Sequence, residues 1–150
     1  QPWQHHKASA PSSAGAKTAP LSQQQQQVMD LRSQISTAAA TDDLPSAAAL
    51  YRDLLELDSG QVLSQQQQLD VANQLMAETR YDTAARAYEL FLNTYKGYGQ
   101  REQVELILGL IYARYLDRRQ RARELLTNAL GRLQNGTQKE LARQTLTEIE

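Results

Sequence analysis

Nucleophilic catalysis by serine or threonine needs a base held rigidly beside the hydroxyl, and the only histidines in the chain are His5 and His6. Both sit in an N-terminal stretch with no apolar period to hold them in place. The chain has no cysteine, which removes thiolate nucleophiles, thiolate metal ligands and disulfides together. Two neighbouring histidines without a third ligand at suitable spacing do not make a metal site, so neither metal nor cofactor is expected. The carboxylates of Asp42, Asp43, Asp53, Glu56 and Asp58 line a helix start and a solvent face, where capping and solvation account for them. Gly97-Tyr98-Gly99 lacks the length and the following lysine of a phosphate cradle, and no zincin helix or calcium loop occurs. No active site is expected, and the chain is not expected to be an enzyme.

The densest charge is Arg114, Arg118, Arg119, Arg121 and Arg123, spread over one helix end, a turn and the next helix start. Guanidinium groups so placed could hold phosphates or an acidic peptide. With Asp117 and Glu124 beside them, a solvated surface with local partners is the favoured expectation. The whole chain has 16 basic and 17 acidic residues, a formal charge of -1, and so no global field to attract nucleic acid or an anionic membrane. Nucleic-acid binding is therefore not expected. No stretch approaches the roughly 20 apolar residues of a membrane span, and the start lacks the charged-then-apolar order of a secretory signal. The chain begins at Gln1 and stops at Ile149-Glu150 within a helical pattern, as a processed product or a piece of something longer would. A cytoplasmic setting is the expectation, with tethering to a membrane through flanking sequence left open.

The elements that must position these residues are announced by a repeat. Alanine recurs at Ala47, Ala84 and Ala122, steps of 37 and 38 residues; four residues on stand Tyr51, Tyr88 and Leu126, and seven on Leu54, Phe91 and Ala129. Such a period marks an array of helical units that bury their cores by stacking. Residues 1–21, with Pro2, Pro11 and Pro20 and no apolar period, are expected to be a flexible tail in which Trp3 is incidental; residues 22–150 are the folded domain. The runs Gln23 to Gln27 and Gln65 to Gln68 lead into helical spacing at Val28, Leu31, Ile35 and at Leu69, Ala72, Leu75, so both are expected to form early helical turns.

Punctuation divides the rest. Asp42 and Asp43 offer caps before Leu44, with Pro45 in a first turn, and Asp58-Ser59-Gly60 closes that helix. Ser64 is expected to cap a helix ending near Arg80, Asp82 to lie in the first turn of one reaching Tyr95, and a fifth to span Arg101 to Leu116. Asp117 is expected to cap a sixth reaching Leu133, and Thr137 with Glu140 to form the capping box of a seventh. The fold class is all-α.

This punctuation resembles the tetratricopeptide repeat, a pair of antiparallel helices in which small residues let neighbours approach closely. The residues that carry the resemblance are Val71-Ala72, Leu75, Tyr81, Ala84, Tyr88 and Phe91 in the middle unit, and Leu108-Gly109, Tyr112, Ala122, Leu126 and Ala129 in the third. The gap from Gly109 to Ala122 is one residue longer than that from Ala72 to Ala84, which predicts an enlarged turn around Asp117. The first unit has Ile35 where the small residue belongs, and no unit has the family's tryptophan or repeat-end proline. The string Leu106 to Leu116 also resembles repeat regions appended to bacterial membrane proteins, some of rhomboid type.

The resemblance implies a solenoid of about three helical hairpins plus a terminal helix, with the first helix of each hairpin lining a concave groove. It places Arg32, Ser36, Leu69, Asn73, Met76, Leu106, Leu110 and Arg114 near that groove, and Arg32, Asn73, Met76, Leu106, Leu110 and Arg114 are the candidate partner-binding residues. Leu69, Asp70 and Ile107 stand where a clamp for a peptide carboxylate would need lysine, asparagine or arginine, so the implied partner is an amphipathic helix or an extended hydrophobic peptide. Leu69, Leu106 and Leu110 could instead pack between helices or be covered by the last one. The expected function is a noncatalytic protein-interaction or assembly module, with a structural homodimerisation domain of a larger bacterial protein as the alternative.

Overall fold

The computed structural model describes residues 19–150. Most of the expected tail lies outside the described residues, as do Trp3, His5 and His6. Seven helices and no strand occur among the described residues: α1 (Gln23–Ala40), α2 (Leu44–Leu57), α3 (Gln65–Ala77), α4 (Tyr81–Thr94), α5 (Arg101–Arg114), α6 (Arg119–Leu130) and α7 (Gly136–Glu148). Packing is most extensive within the hairpins α1–α2, α3–α4 and α5–α6, and each hairpin then leans on the next element in the chain. The result is an α-solenoid arrangement of three hairpins followed by a single helix.

The repeated residues form the core. Ala47, Ala84 and Ala122, with Tyr51, Tyr88 and Leu126 and with Leu54, Phe91 and Ala129, are all 0% exposed. Small residues set the helix spacing. A Cβ on Gly109 would lie 2.7 Å from Cγ of Leu126, inside any real carbon contact, so α5 can approach α6 this closely only with glycine at that position.

Each hairpin turns through one left-handed residue, Asp42 (φ 59°), Thr79 (φ 60°) and Asp117 (φ 53°), which repeat at the same 37- and 38-residue steps as the alanines. The amide after the first two reaches back five residues, Asp43 to the Ala38 carbonyl at 2.8 Å and Arg80 to that of Leu75 at 3.0 Å. In the third hairpin Arg118 reaches back six, to Tyr112 at 3.0 Å. The one-residue insertion is thus absorbed in the turn around Asp117, as the spacing predicts.

Several boundaries differ from expectation. Asp117 is the left-handed turn residue and not a cap; α5 stops at Arg114 and Arg118 precedes α6. The Thr137–Glu140 box does not form, because Asn135 caps α7 first, accepting from the Gln138 amide at 2.9 Å. Ser64 stands at the start of α3 without a side-chain cap bond. Asp43 does cap α2, accepting from Ser46 at 3.3 Å, and Ser22 with Gln25 forms a capping box on α1.

Candidate functional site

The six candidate residues lie on the first helices of the hairpins, but the fold uses them differently. Arg32 on α1 donates to the Gln61 side chain at 2.9 Å and to the Val62 carbonyl at 2.8 Å, binding the segment between α2 and α3. Asn73 on α3 is exposed and accepts from the Tyr88 hydroxyl. Met76, one turn on, is half-buried against the main core.

On α5 the expectation of an open groove needs correction, because α7 occupies that face. Gln103 and Gln138 exchange two amide bonds of 3.0 and 2.8 Å; Leu106, 4% exposed, belongs to a second core with Leu126, Leu133 and Ala142; and Leu110 and Leu146 pack beside it. Arg114 donates to Thr145 at 3.3 Å and lies 3.9 Å from Glu148. Gln103, Leu106, Leu110 and Arg114 recur at helical spacing, so one stripe of α5 seats the chain's own last helix. Leu106 has no surface left for a partner.

The exposed part of the first-helix face is therefore centred on α3, where Leu69, Asn73 and Met76 share one stripe at four- and three-residue spacing. Leu69 and Met76 are each half-buried, leaving apolar surface on both sides of the Asn73 amide.

The arginine cluster is dispersed over separate acceptors. Arg119 pairs with Asp117 at 3.5 Å, and Arg121 with Glu124 at 3.2 Å and with Glu89 at 2.7 Å. Arg123 reaches the Ile149 carbonyl at 3.5 Å. The expectation of a surface with local partners is met at Asp117 and Glu124; Glu89, on another hairpin, was not legible from proximity in sequence.

The polar residues that matter most to the architecture were also missed. Gln68, one of a run expected only to start a helix, is 0% exposed. Its amide donates to the Tyr51 hydroxyl and the Ala87 carbonyl, both at 3.0 Å, and accepts from the Leu63 amide at 2.9 Å. The available signal was its spacing: Gln68 precedes Val71, Ala72 and Leu75 on one helical face. Glu105, one repeat on, is also buried, with Arg101 at 3.4 Å. Burial raises its carboxyl above the ordinary range while Arg101 and Arg132 draw it back.

The chain matches no family model, no curated protein and no solved structure. Function must therefore be argued from geometry. Among the described residues no group of three or more His, Cys, Asp or Glu side chains is placed to hold a metal ion, and no helix is long and apolar enough to cross a membrane.

The larger cavities are open and lined by loops and charge. One of about 740 Å³ lies between the α4–α5 and α6–α7 turns, bordered by Lys96, Tyr98, Glu102, Arg132 and Lys139. Others follow the second helices of the hairpins: about 410 Å³ between α2 and α4, and about 500 and 460 Å³ between α4 and α6.

Proposed function

We propose that the chain is a divergent tetratricopeptide-like array serving as a noncatalytic protein-interaction module, which takes an amphipathic helix or an extended hydrophobic peptide along α3. The observation that carries this reading is the α3 stripe: half-buried Leu69 and Met76 flank the exposed amide of Asn73 in an array whose end helices turn mostly polar residues outward. Apolar anchors beside a polar group provide affinity and orientation together. Outward residues of α1 are mainly Gln, Ser and Thr, and those of α7 are Thr137, Glu140, Arg143, Gln144, Thr147 and Glu148. Polar end helices do what capping repeats do in stacked arrays, and leave the lateral faces as the places for partners.

The test is photo-crosslinking from position 73 with partner identification, repeated in a Met76→Glu background. Met76 suits this better than Leu110 because it shares the α3 stripe with position 73, whereas Leu110 lies on the α5 stripe beside α7; each packs against a core on one side, so helicity is measured alongside. The expected result is loss of the crosslinked partner with helicity unchanged. A folded Met76→Glu chain that keeps every crosslink removes the proposal. A structural homodimer is the second reading, favoured by the charge layout of the opposite helices.

A further inference from the structure

The second helices of the hairpins frame clefts of opposite net charge on the two sides of α4. The α2–α4 cleft is lined by Asp53, Glu56 and Asp82 with Arg52 and Arg86. The α4–α6 clefts bring together Arg86, Lys96, Arg101, Arg118 and Arg121 with Asp82 and Glu89. In the second group Arg121 is already matched by Glu89, and Arg101 by Glu105. Among the described residues Asp53, Glu56 and Asp82 form no ion pair, and neither do Arg86, Lys96 and Arg118. All six belong to exposed residues; Arg52, half-buried, also forms no ion pair among the described residues, so the α2–α4 cleft sets three carboxylates against two arginines. Among the described residues Arg86 donates to the Ser59 carbonyl alone, at 3.1 and 2.9 Å.

The imbalance extends beyond the clefts. Residues 22–60 carry six carboxylates against two arginines, a net of -4, and residues 101–135 carry seven arginines against four carboxylates, a net of +3. A formal charge of -1 for the whole chain conceals this separation. A small net charge leaves little general repulsion between copies, while the local patches provide direction.

We propose that this face docks a second copy of the chain, antiparallel about a two-fold axis near α4, so that the acidic cleft of each protomer meets the basic cleft of the other. The proposal deepens the homodimer reading and does not depend on the α3 peptide site. Neighbouring patches of opposite sign on one face become self-complementary when the second copy is turned by half a revolution, and each attraction is then made twice. Placing the copies parallel would set like charge against like. A head-to-tail chain would match acid to base but leave one cleft unused at each end, whereas the two-fold contact brings Asp53, Glu56 and Asp82 toward Arg86, Lys96 and Arg118 twice and closes.

Sedimentation velocity on the full chain at about 50 mM and about 500 mM salt provides the test, because exposed charge pairs weaken as the Debye length shortens. The expected result is a dimer at low salt whose dissociation constant rises at least about tenfold at high salt. Asp53→Arg with Glu56→Arg in one chain, or Lys96→Glu with Arg118→Glu in another, should each give monomers with unchanged helicity. An equimolar mixture of the two should restore the dimer, since the two altered clefts then attract each other with signs exchanged while the other contact keeps its original pairing. If a reversal unfolds the chain, Asp53→Asn with Glu56→Gln removes the charge at similar volume and should weaken the dimer at least about tenfold. Met76→Glu should leave it unchanged; a monomer there would put the contact on the α3 side and overturn the proposal. So would a wild-type monomer at about 100 µM in low salt, salt-insensitive association, mass growing beyond the dimer, or a mixture that stays monomeric. A monomer that binds a polyglutamate peptide through Lys96 and Arg118 would assign the basic cleft to a foreign acidic partner and likewise refute self-docking.

Discussion

The joint between the first and second hairpins is held by hydrogen bonds to backbone with no ion pair among the described residues, whereas the joint between the second and third carries a half-exposed ion pair. At the first, side chains take up the backbone of the connecting segment: Arg32 binds the Val62 carbonyl, Tyr51 that of Gln61 at 2.8 Å, Tyr95 that of Leu63, and Gln68 the Leu63 amide. Leu63 is 3% exposed, and a buried segment outside a helix must find such partners or leave backbone groups orphaned. At the second joint Glu89 on α4 accepts two bonds from Arg121 on α6, at 2.7 and 2.9 Å, and one from Tyr112 on α5, at 2.8 Å. Burial pushes the Glu89 carboxyl up, but the bonds from Arg121 and Tyr112 outweigh it and hold the group below its ordinary value. Burial and, after it, the same carboxylate hold the Tyr112 hydroxyl well above the usual phenol range. The contrast teaches that one solenoid can join its units in two ways: amides, hydroxyls and an arginine bonded to uncharged acceptors, largely indifferent to acid and salt, or an ion pair responsive to both.

The most damaging way to break the comparison is at Gln68. Gln68→Ala strands the Leu63 amide in the core and leaves a cavity, and should cost about 2–4 kcal/mol in urea unfolding, with little dependence on salt. Tyr51→Phe keeps the packing and removes one hydroxyl shared by Gln68 and Gln61, for an expected loss of about 1–2 kcal/mol by the same measurement. Glu89→Gln should cost less, about 1 kcal/mol, because both ion-pair partners retain solvent contact; the loss should shrink in high salt.

A pH titration sharpens the same distinction. Because the folded Glu89 carboxyl titrates below its ordinary value of 4.5, its contribution is present above that value and is lost as pH falls through the lower folded one. Acid should therefore raise amide exchange in α6 before α3, and the difference should vanish in Glu89→Gln. Glu105 works in the opposite direction: its raised carboxyl favours the fold below the ordinary value, and that contribution fades as pH rises through the folded one. Glu105→Gln should accordingly flatten the loss of stability on the less acidic side. The smallest effect belongs to a turn away from both joints. Thr79 is the one β-branched residue among the three left-handed positions, and Thr79→Asn should raise the urea midpoint by the equivalent of about 0.5–1 kcal/mol.

Much of the fold was legible because it is written in local periods. The alanine steps, the apolar spacing after each glutamine run and the extra residue before Ala122 depend only on helix geometry, and each appears in the structure as a buried stripe, a helix start or a longer turn. The candidate site was less legible. Helical spacing placed Leu106, Leu110 and Arg114 on one stripe of α5, but the same spacing serves a partner groove or a seat for α7, and leucine suits either. Arg32 was visible as a cation at a groove position; that it would bind Val62 depended on the path of a segment 30 residues away in sequence.

The sequence by itself determined that the chain is helical, where its hairpins turn and which small residues let the helices close, because these follow from periodicity and backbone sterics within a few residues. Only the tertiary structure decided that Gln68 is buried, that Glu89 meets Arg121 across 32 positions, and that α7 covers the α5 stripe. Those outcomes depend on which surfaces meet when the units stack, and desolvation then determines whether a polar side chain joins two helices or stays in water.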